Sequence, residues 1–419
     1  MKKIKLGFIP LTDCAPLVMA REKGLFEKYQ LDVELVKEVS WANIRDKVAA
    51  GTLDGAQMLA TMPIAATLGV GGPVIPMLSA MVMSLNGNAI TISNKLFEQI
   101  RTIDRSCLTE NPIMATGLKK VIESQKMAGK SKLRFAIVFP TSTHNYELRY
   151  WLASAGIDPD NDIELLVIPP QQMVDNLASG NIDGFCVGDP WNGLAVQQGL
   201  GHTLITKYEI WNNSPEKVFA VTQDWAEQNQ ETHKSILKAL LEATKWLDAD
   251  IANRQQTAHI LSKEAYVNTN VDVIELSMTG TFQYDQESAL VTMADFNVFH
   301  RYSANFPWRS QAVWWISQMI RWGHIREIFS IHEAVKAIYR PDIYRSAIDE
   351  LGEIAPDGDY KTEGGHSGIW RLETENGPLT MGPDIFFDAK VYNAEDLADY
   401  LLSFDIQHPV IDVPRLRKN

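Results

Sequence analysis

Short apolar segments alternate with helical segments through the first half of the chain, and this alternation restricts the possible folds more than any other feature. Residues 4–10 (IKLGFIP) and 31–39 (LDVELVKEV) have the apolar or alternating pattern of strands, with a helical segment between them. The same pattern begins again at residue 132 and continues to residue 190. Strands and helices in this order are typical of a mostly parallel sheet flanked by helices. The sequence therefore predicts an α/β fold.

Two segments resemble each other, which bears on the number of lobes. Residues 50–57 (AGTLDGAQ) and 179–186 (SGNIDGFC) share a Gly, an Asp and a second Gly at a constant offset of 129 (180 − 51). Gly and Asp suit helix-to-strand turns in any protein, so a common turn is one interpretation. Two α/β lobes with matching topology would produce the same recurrence.

A stretch without charge, residues 55–94, contains the apolar run LATMPIAATLGVGGPVIPMLSAMVM. A membrane helix is one interpretation of such a run. Glycines and prolines at residues 69–76 would interrupt a helix near its middle. We therefore predict a short helix after Met62, a turn at Gly71 and Gly72, and then a buried strand, with no insertion into a membrane.

The charge balance argues against one class of partner. Lys plus Arg number 39 and Asp plus Glu number 52, so the net charge is −13. A broad basic face for nucleic acid or an anionic membrane is therefore not expected, although one buried cation could still bind a small anion.

The three cysteines form no CxxC pair, which argues against a disulfide framework or a Cys-based zinc site. Residues 1–10 resemble a first strand rather than a secretory signal, so we expect a cytoplasmic protein, or a periplasmic one if an export signal has been removed.

Signatures of catalysis are missing. Residues 124–131 (SQKMAGKS) end like a phosphate-binding loop but have Ser124 where the first Gly should stand. The GGHSG sequence around His366 lacks the spacing of GxSxG, and the chain contains no HExxH. We therefore expect a protein that is not an enzyme, with no catalytic residue, no metal and no cofactor.

Polar residues where predicted strands give way to helices form the candidate site instead. Residues 141–144 follow one strand, Trp41 follows Ser40 at a helix start, and Lys217 lies in a polar loop after another strand. In α/β sheets, ligands bind beyond the carboxyl ends of strands, where helix N-termini favour anions. Each residue also has a simpler interpretation as a helix cap, a core histidine or a solvated lysine, so none of them alone predicts a function.

Longer motifs carry a family resemblance that spans nearly the whole chain. They are AREKGLFEKYQLDVELVKEVSW, LDGAQMLATMP, NGNAI, THNYELRYWLASAGIDP, VIPPQQMVDNLASGNIDGFCVGDPWN, EIWNNSPEK and MGPDIFFD. Together they resemble the nitrate- and bicarbonate-binding proteins of the nitrate ABC transporter family, and more closely the cytoplasmic nitrate/nitrite sensors of the NasS type. The resemblance implies a two-lobed type II periplasmic-binding-protein fold with two crossover strands and extra C-terminal helices. Residues 1–91 would form the first part of lobe I, 92–205 lobe II, and 206–419 the return to lobe I with a C-terminal helical extension.

The ligand-binding residues follow from the same resemblance. Trp41 matches the Trp of the family's SW motif, His144 the His of a GTH-type motif that reads STH here, and Lys217 the Lys of NNxPEK. Asn88 stands where the family has the Gln of NGQ, and Thr143 precedes the matched His. The bicarbonate-binding relatives carry an acidic residue at the Lys position and use calcium, so Lys217 favours nitrate or nitrite.

Physical chemistry agrees with an anion site of this kind. Nitrate is planar and monovalent and has no proton to donate, so its site needs hydrogen-bond donors only. Lys217, His144 and Asn88 are predicted to form a ring of donors, with Trp41 as a flat wall. A buried Lys is costly without a counter-charge, so anion entry is expected to stabilise the closed state.

The resemblance also implies a partner. Sensors of this type are similar in binding an RNA-binding antiterminator of the ANTAR class when anion is absent and in releasing it when nitrate or nitrite is bound. The chain itself is not expected to contact nucleic acid.

One alternative function is that of the extracytoplasmic solute-binding component of a nitrate or bicarbonate ABC transporter. A second is an enzyme like the thiamine-pyrimidine synthases, whose Cys-rich iron motif is missing here, and a third is a structural module without a ligand.

Overall fold

The computed structural model describes residues 1–327, 329–408 and 412–416. The strands are β1 (Lys2–Phe8), β2 (Leu31–Lys37), β3 (Gly55–Leu59), β4 (Met77–Asn86), β5 (Asn88–Ser93), β6 (Leu133–Ile137), β7 (Ile163–Val167), β8 (Gly184–Gly188), β9 (Gly201–Thr206), β10 (Pro215–Thr222), β11 (Thr281–Phe282), β12 (Val291–Thr292), β13 (Asn297–Val298), β14 (Trp370–Leu372) and β15 (Leu379–Met381). The α-helices are α1 (Ala15–Glu22), α2 (Leu25–Lys28), α3 (Trp41–Ala49), α4 (Met62–Thr67), α5 (Asn94–Ile103), α6 (Thr116–Met127), α7 (Thr143–Ser154), α8 (Met173–Ala178), α9 (Trp191–Gln197), α10 (Lys207–Ile210), α11 (Gln223–Gln228), α12 (Gln230–Ala249), α13 (Ile251–Leu261), α14 (Val271–Met278), α15 (Arg309–Arg321), α16 (Ile331–Ile338), α17 (Pro341–Asp349), α18 (Leu397–Leu402) and α19 (Val413–Leu416). Short 3-10 helices lie at Thr12–Cys14, Arg105–Thr109, Pro170–Gln172, Arg301–Ser303 and Ala394–Asp396.

Two sheets of similar topology define two lobes. The sheet of lobe I has the strand order β13-β4-β10-β3-β1-β2, and the sheet of lobe II has the order β7-β6-β8-β5-β9. In lobe I, β1 pairs in parallel with β2 and β3, whereas β10 is antiparallel to β3 and β4. In lobe II, β6 pairs in parallel with β7 and β8, whereas β5 is antiparallel to β8 and β9. The predicted two-lobed α/β fold with two crossover strands is confirmed.

The crossover strands exchange the chain between the lobes. The chain leaves lobe I between β4 and β5 and returns between β9 and β10. At the first crossing, Asn86 and Gly87 both have positive φ, 59° and 84°. A Cβ at position 87 would lie 2.3 Å from Asn297 Oδ1, so only Gly fits this turn. The lobe boundaries that the sequence placed at residues 91 and 205 stay predictions.

The internal recurrence found in the sequence has a structural basis. Asp54, just before β3, accepts a hydrogen bond from the backbone N of Lys5 in β1 at 2.8 Å. Asp183, just before β8, accepts the equivalent bond from the backbone N of Arg134 in β6, also at 2.8 Å. In each lobe, the Asp side chain thus ties the start of one central strand to its parallel neighbour. The prediction of two lobes with matching topology is confirmed at these turns.

The apolar run within the uncharged stretch forms the short helix α4 and most of the buried strand β4. Every residue of β4 is buried, because the strand lies between β10 and β13 and is covered by α12, α16 and α17. A strand enclosed in this way reads as a continuous apolar run rather than an alternating one. Among the residues that the structure describes, no helix combines the length and the apolar character needed to cross a membrane.

The lobes touch each other closely, and the C-terminal region contacts both. Thr12 donates from N and from Oγ1 to the carbonyl of Asp189, at 2.9 and 3.2 Å. Helix α15 of the C-terminal region packs on α7 of lobe II, with Trp315 and Tyr146 ring centroids 6.4 Å apart. Helix α16 packs on α4 and β4 of lobe I. The sequence placed the C-terminal helical extension with the return to lobe I; in the structure it also contacts lobe II, where large aromatic side chains of α7 and α15 meet.

Candidate anion site between the lobes

Strand β10 brings two charged residues to the middle of the molecule. Lys217 lies opposite Leu59 of β3 and Ser84 of β4. The pairing of β10 with β4 shifts register between Pro215 and Lys217 and again after Lys217. Such an irregularity redirects side chains that would otherwise alternate between the two faces of a sheet. The Nζ of Lys217 lies 2.7 Å from Oε1 of Glu216, and Lys217 is in a strand, not in the loop expected from the sequence.

The first turn of α7 supplies Thr143 and His144. Ser142 caps this helix by accepting a hydrogen bond from Asn145 N at 3.0 Å, which sets the direction of the next two residues. Thr143 Oγ1 donates to Glu216 Oε1 at 2.8 Å, and His144 Nε2 lies 3.4 Å from the same oxygen. The carboxylate of Glu216 therefore lies at a helix N-terminus, where negative charge is favoured.

Asn88 and Trp41 complete the predicted set. Asn88 begins β5 and donates from Nδ2 to Glu147 Oε2 and to Glu216 Oε2, both at 3.1 Å. Trp41 begins α3, and the Nζ of Lys217 lies 5.5 Å from the centroid of its indole ring. The structure thus brings all five predicted residues to one buried point between the lobes.

Sequence reasoning missed a second ammonium group and two of its contacts. Lys207, the first residue of α10, binds Glu147 and lies 2.8 Å from Glu216 Oε2. Its Nζ also donates to the carbonyl of Pro215 at 3.1 Å. Glu147 stands four residues after Thr143, which places both on one face of α7. That spacing, and the charge of Glu216 beside the matched Lys, were signals available in the sequence.

Asp13 is a third carboxylate that the sequence did not indicate. It lies in the turn after β1, and its Oδ2 is 2.7 Å from Lys217 Nζ. Gln57 of β3 donates to its Oδ1 at 2.5 Å. Nothing in the sequence near Asp13 predicts this contact, because its partners belong to distant strands.

Burial and the neighbouring charges together set the pKa values of the site. Burial lowers the pKa of His144 to about 3 against the attraction of Glu216, so its imidazole is neutral at pH 7. Burial acts to raise the pKa of Glu216, but Lys207 and Lys217 together outweigh burial and lower it. Burial acts to lower the pKa of Lys217, but Asp13 and Glu216 outweigh burial and raise it. Glu216 and Lys217 thus stabilise each other's charged forms, whereas burial raises the pKa of Asp13 despite its contact with Lys217.

The arrangement differs from the predicted ring of donors. Glu216 accepts hydrogen bonds from Asn88 and Lys217, which were expected to donate to an anion, and from Thr143, which was also predicted to bind the ligand. The physical reason is that two ammonium groups buried together need carboxylates beside them. A ligand anion must therefore share these donors with Glu216 or use the groups that remain.

Several buried polar groups on site residues or on chain segments next to them, within the described ranges, lack a hydrogen-bond partner. They are the indole N–H of Trp41, the hydroxyls of Thr61 and Thr141, and Nδ1 of His144. Buried polar groups are normally satisfied, so unsatisfied groups around one point mark a place for a polar ligand or water. The indole of Trp41, whose ring centroid lies 5.5 Å from Lys217 Nζ, thus has an N–H suited to an oxyanion.

One other group of described residues has the side chains of a metal site. The ligand-type atoms of Asp158, Asp160 and His408 lie within 4.8 Å of one another. Arg149 binds both carboxylate oxygens of Asp160, at 2.6 and 2.9 Å. The guanidinium of Arg149 thus already pairs with the carboxylate of Asp160, and His408 Nε2 lies 3.2 Å from Asp158 Oδ2. We interpret these residues as an ion-pair network.

Comparison with known proteins gives several relatives of nearly full length. The chain is 36% identical over 411 residues to the nitrate/nitrite binding protein NrtA of Synechococcus elongatus, covering 96% of this chain and 86% of that protein. It is 42% identical over 381 residues to the nitrate import ATP-binding protein NrtC of a Synechocystis strain, covering 90% of this chain. The chain spans only about half, 54%, of the length of NrtC.

A solved structure has the same fold. The periplasmic nitrate-binding protein NrtA from Synechocystis PCC 6803 superposes with a TM-score of 0.83 at 30% identity, covering 97% of this chain and 99% of that one. The two relatives whose own length this chain mostly covers, NrtA of Synechococcus elongatus and NrtA of Synechocystis, are named as binding proteins, which agrees with the expectation of a protein that is not an enzyme. The model of the NMT1-like family matches residues 1–262. The chain therefore belongs to the NMT1-like family.

Proposed function

We propose that this protein binds nitrate or nitrite between its two lobes. The observation that carries the proposal is the meeting of Trp41, His144 and Lys217, matched to the family one by one, at a single buried point. Relatives named for nitrate binding support the choice of ligand.

The chemistry of the site suits a flat monovalent anion. The indole face of Trp41 matches a planar ligand, and its N–H is free to donate. Neutral His144 offers one N–H, and the Nζ of Lys217 has a third N–H beyond its bonds to Asp13 and Glu216. Asn88 is one methylene shorter than the Gln of the family, so its contact with the ligand passes through water or is replaced by another donor.

The role of binding is proposed as sensing. In this role the protein acts in the cytoplasm, holds an ANTAR-type antiterminator while the site is free of anion, and releases it when the lobes close on nitrate or nitrite. Closure changes the relative position of two surfaces, which a partner that spans both lobes would read.

A second candidate role is solute delivery to an ABC transporter outside the cytoplasm. The solved periplasmic NrtA, which this chain covers almost completely, favours it. Ligand chemistry is the same in both roles, with bicarbonate as the further ligand to test.

Isothermal titration calorimetry with nitrate, nitrite and bicarbonate, each with and without calcium, tests the ligand. We expect micromolar binding of nitrate or nitrite that does not need calcium. The variant Lys217→Met should lose this binding, and the exposed control Lys130→Glu should keep it. Bicarbonate binding that requires calcium, or equal nitrate affinity in Lys217→Met, would contradict the proposal.

Size-exclusion chromatography with a purified ANTAR-type antiterminator tests the role. We expect co-elution without anion and separation with nitrate. If the two proteins never co-elute although nitrate binds, the sensing role is wrong and solute delivery is favoured.

A further inference from the structure

The charges at the anion site do not balance. Three carboxylates, Asp13, Glu147 and Glu216, meet two ammonium groups, Lys207 and Lys217, and all five are buried. With every group ionised and His144 neutral, the cluster carries a charge of 2 − 3 = −1. A monovalent anion would raise the buried charge to −2, which is costly inside a protein.

The contacts single out one of the three carboxylates as the surplus charge. Asp13 pairs with Lys217, and Glu216 lies 2.7 and 2.8 Å from the two ammonium groups. Glu147 has only Lys207, which it shares with Glu216, and the neutral amide of Asn88. Two carboxylates thus suffice for the two cations.

We propose that the site takes up one proton from solvent with each monovalent oxyanion, and that Glu147 holds this proton. The proposal rests on the function proposed above, since it concerns the same site. The carboxylate of Glu147 becomes a carboxylic acid as the anion enters, so the buried charge stays at −1. No bond of the anion itself is made or broken.

The surroundings of Glu147 favour the protonated form. Its ionisable neighbours are Lys207 of α10 and Glu216 of β10, and the thiol of Cys186 of β8 interacts electrostatically with it. Burial raises the pKa of Glu147 to about 7, and Glu216 adds to this, while Lys207 opposes it. A second anion close by acts in the same direction as Glu216.

The proposal limits the class of ligand. A monovalent oxyanion with one proton leaves the buried charge unchanged, whereas a divalent anion would need a second proton. Nitrate and nitrite therefore fit the site and sulfate does not. Affinity must fall as the pH rises above the pKa of free Glu147, because the proton then has to be taken from a more dilute solution.

The test is calorimetry of nitrate binding to the full chain in HEPES and in Tris, whose ionisation enthalpies differ, so that the heats report the number of protons taken up. Above the pKa of Glu147, we expect about one proton per nitrate, and an affinity about 25-fold weaker near pH 8.5 than near pH 6.5. In Glu147→Gln, a neutral side chain of the same shape, we expect binding without proton uptake and an affinity that hardly changes with pH. The exposed control Glu287→Gln should behave as the unmodified protein.

The outcomes separate this inference from the function on which it rests. Nitrate binding without proton uptake in the unmodified protein would overturn the inference and leave the function in place, as would proton uptake that persists in folded Glu147→Gln. Absence of nitrate and nitrite binding at every pH would overturn the function itself. If Glu147→Gln does not fold, the proton count and the pH dependence of the unmodified protein still decide.

Discussion

Replacing Lys217 by Met should strongly lower the free energy of unfolding. The Nζ of Lys217 lies 2.7 Å from Asp13 Oδ2 and 2.7 Å from Glu216 Oε1, and all three side chains are buried. Glu216 keeps Lys207 as a partner, but Asp13 is left as a buried carboxylate without a cation. Removing one partner of a buried ion pair costs about 3–5 kcal/mol. Lys217→Glu would add a fourth carboxylate and cost more, so Met is the better test of ligand binding.

The double variant Lys217→Met/Asp13→Asn isolates the cause. Because Asn at position 13 can still accept the hydrogen bond from Gln57, we expect it to recover most of the lost stability. Urea unfolding of the single and double variants measures this, with Lys245→Met as control. The pair of Lys245 with Glu353 is exposed, so its loss should cost less than about 1 kcal/mol. A loss below about 1 kcal/mol in Lys217→Met would refute the idea that an unpaired buried charge sets the cost.

Three further predictions concern other parts of the molecule. Burial lowers the pKa of His233 to about 4, so the unfolded chain binds a proton before the folded chain does as the pH falls. The free energy of unfolding therefore falls by up to about 1.4 kcal/mol per pH unit below about pH 6.5, and His233→Leu should remove this part of the pH dependence in urea unfolding. Burial raises the pKa of Glu363 from 4.5 to about 7 despite Lys361, so its contribution to stability is lost as the pH rises through that range. In thermal unfolding, Glu363→Gln should gain stability relative to the unmodified chain between about pH 4.5 and 7 and keep that gain at higher pH, and a difference that does not change across this range would contradict the prediction. Gly184→Ala should cost about 1–3 kcal/mol, since its Cβ would lie 2.7 Å from a phenylalanine ring carbon of the neighbouring strand, whereas Gly365→Ala, with open space around it, should cost far less.

Much of the local structure could be predicted because its causes are local. Ser40 caps α3 as expected, since a hydroxyl there satisfies a free N–H of the first turn whatever the rest of the fold does. The Asp-Gly turns before β3 and β8 repeat for the same reason. The apolar run of β4 predicts burial, although the run alone does not distinguish a strand from a membrane helix.

The site was predicted only in part. Trp41, Asn88, Thr143, His144 and Lys217 were identified by resemblance to family motifs, and nothing in the spacing of these residues along the chain shows that they meet. Glu147 and Glu216 lie beside matched residues but were not recognised, because a charge next to a binding residue is more often solvated.

By itself, the sequence determined the alternation of strands and helices, the caps and turns, and the family to which the chain belongs. These depend on side chains within a few residues of one another, or on motifs read in order. Only the tertiary structure decided that three carboxylates and two ammonium groups share one buried point, and that Lys217 lies in a strand. The strength and protonation of such groups depend on desolvation and on charges from distant segments, which exist only once both crossover strands are in place.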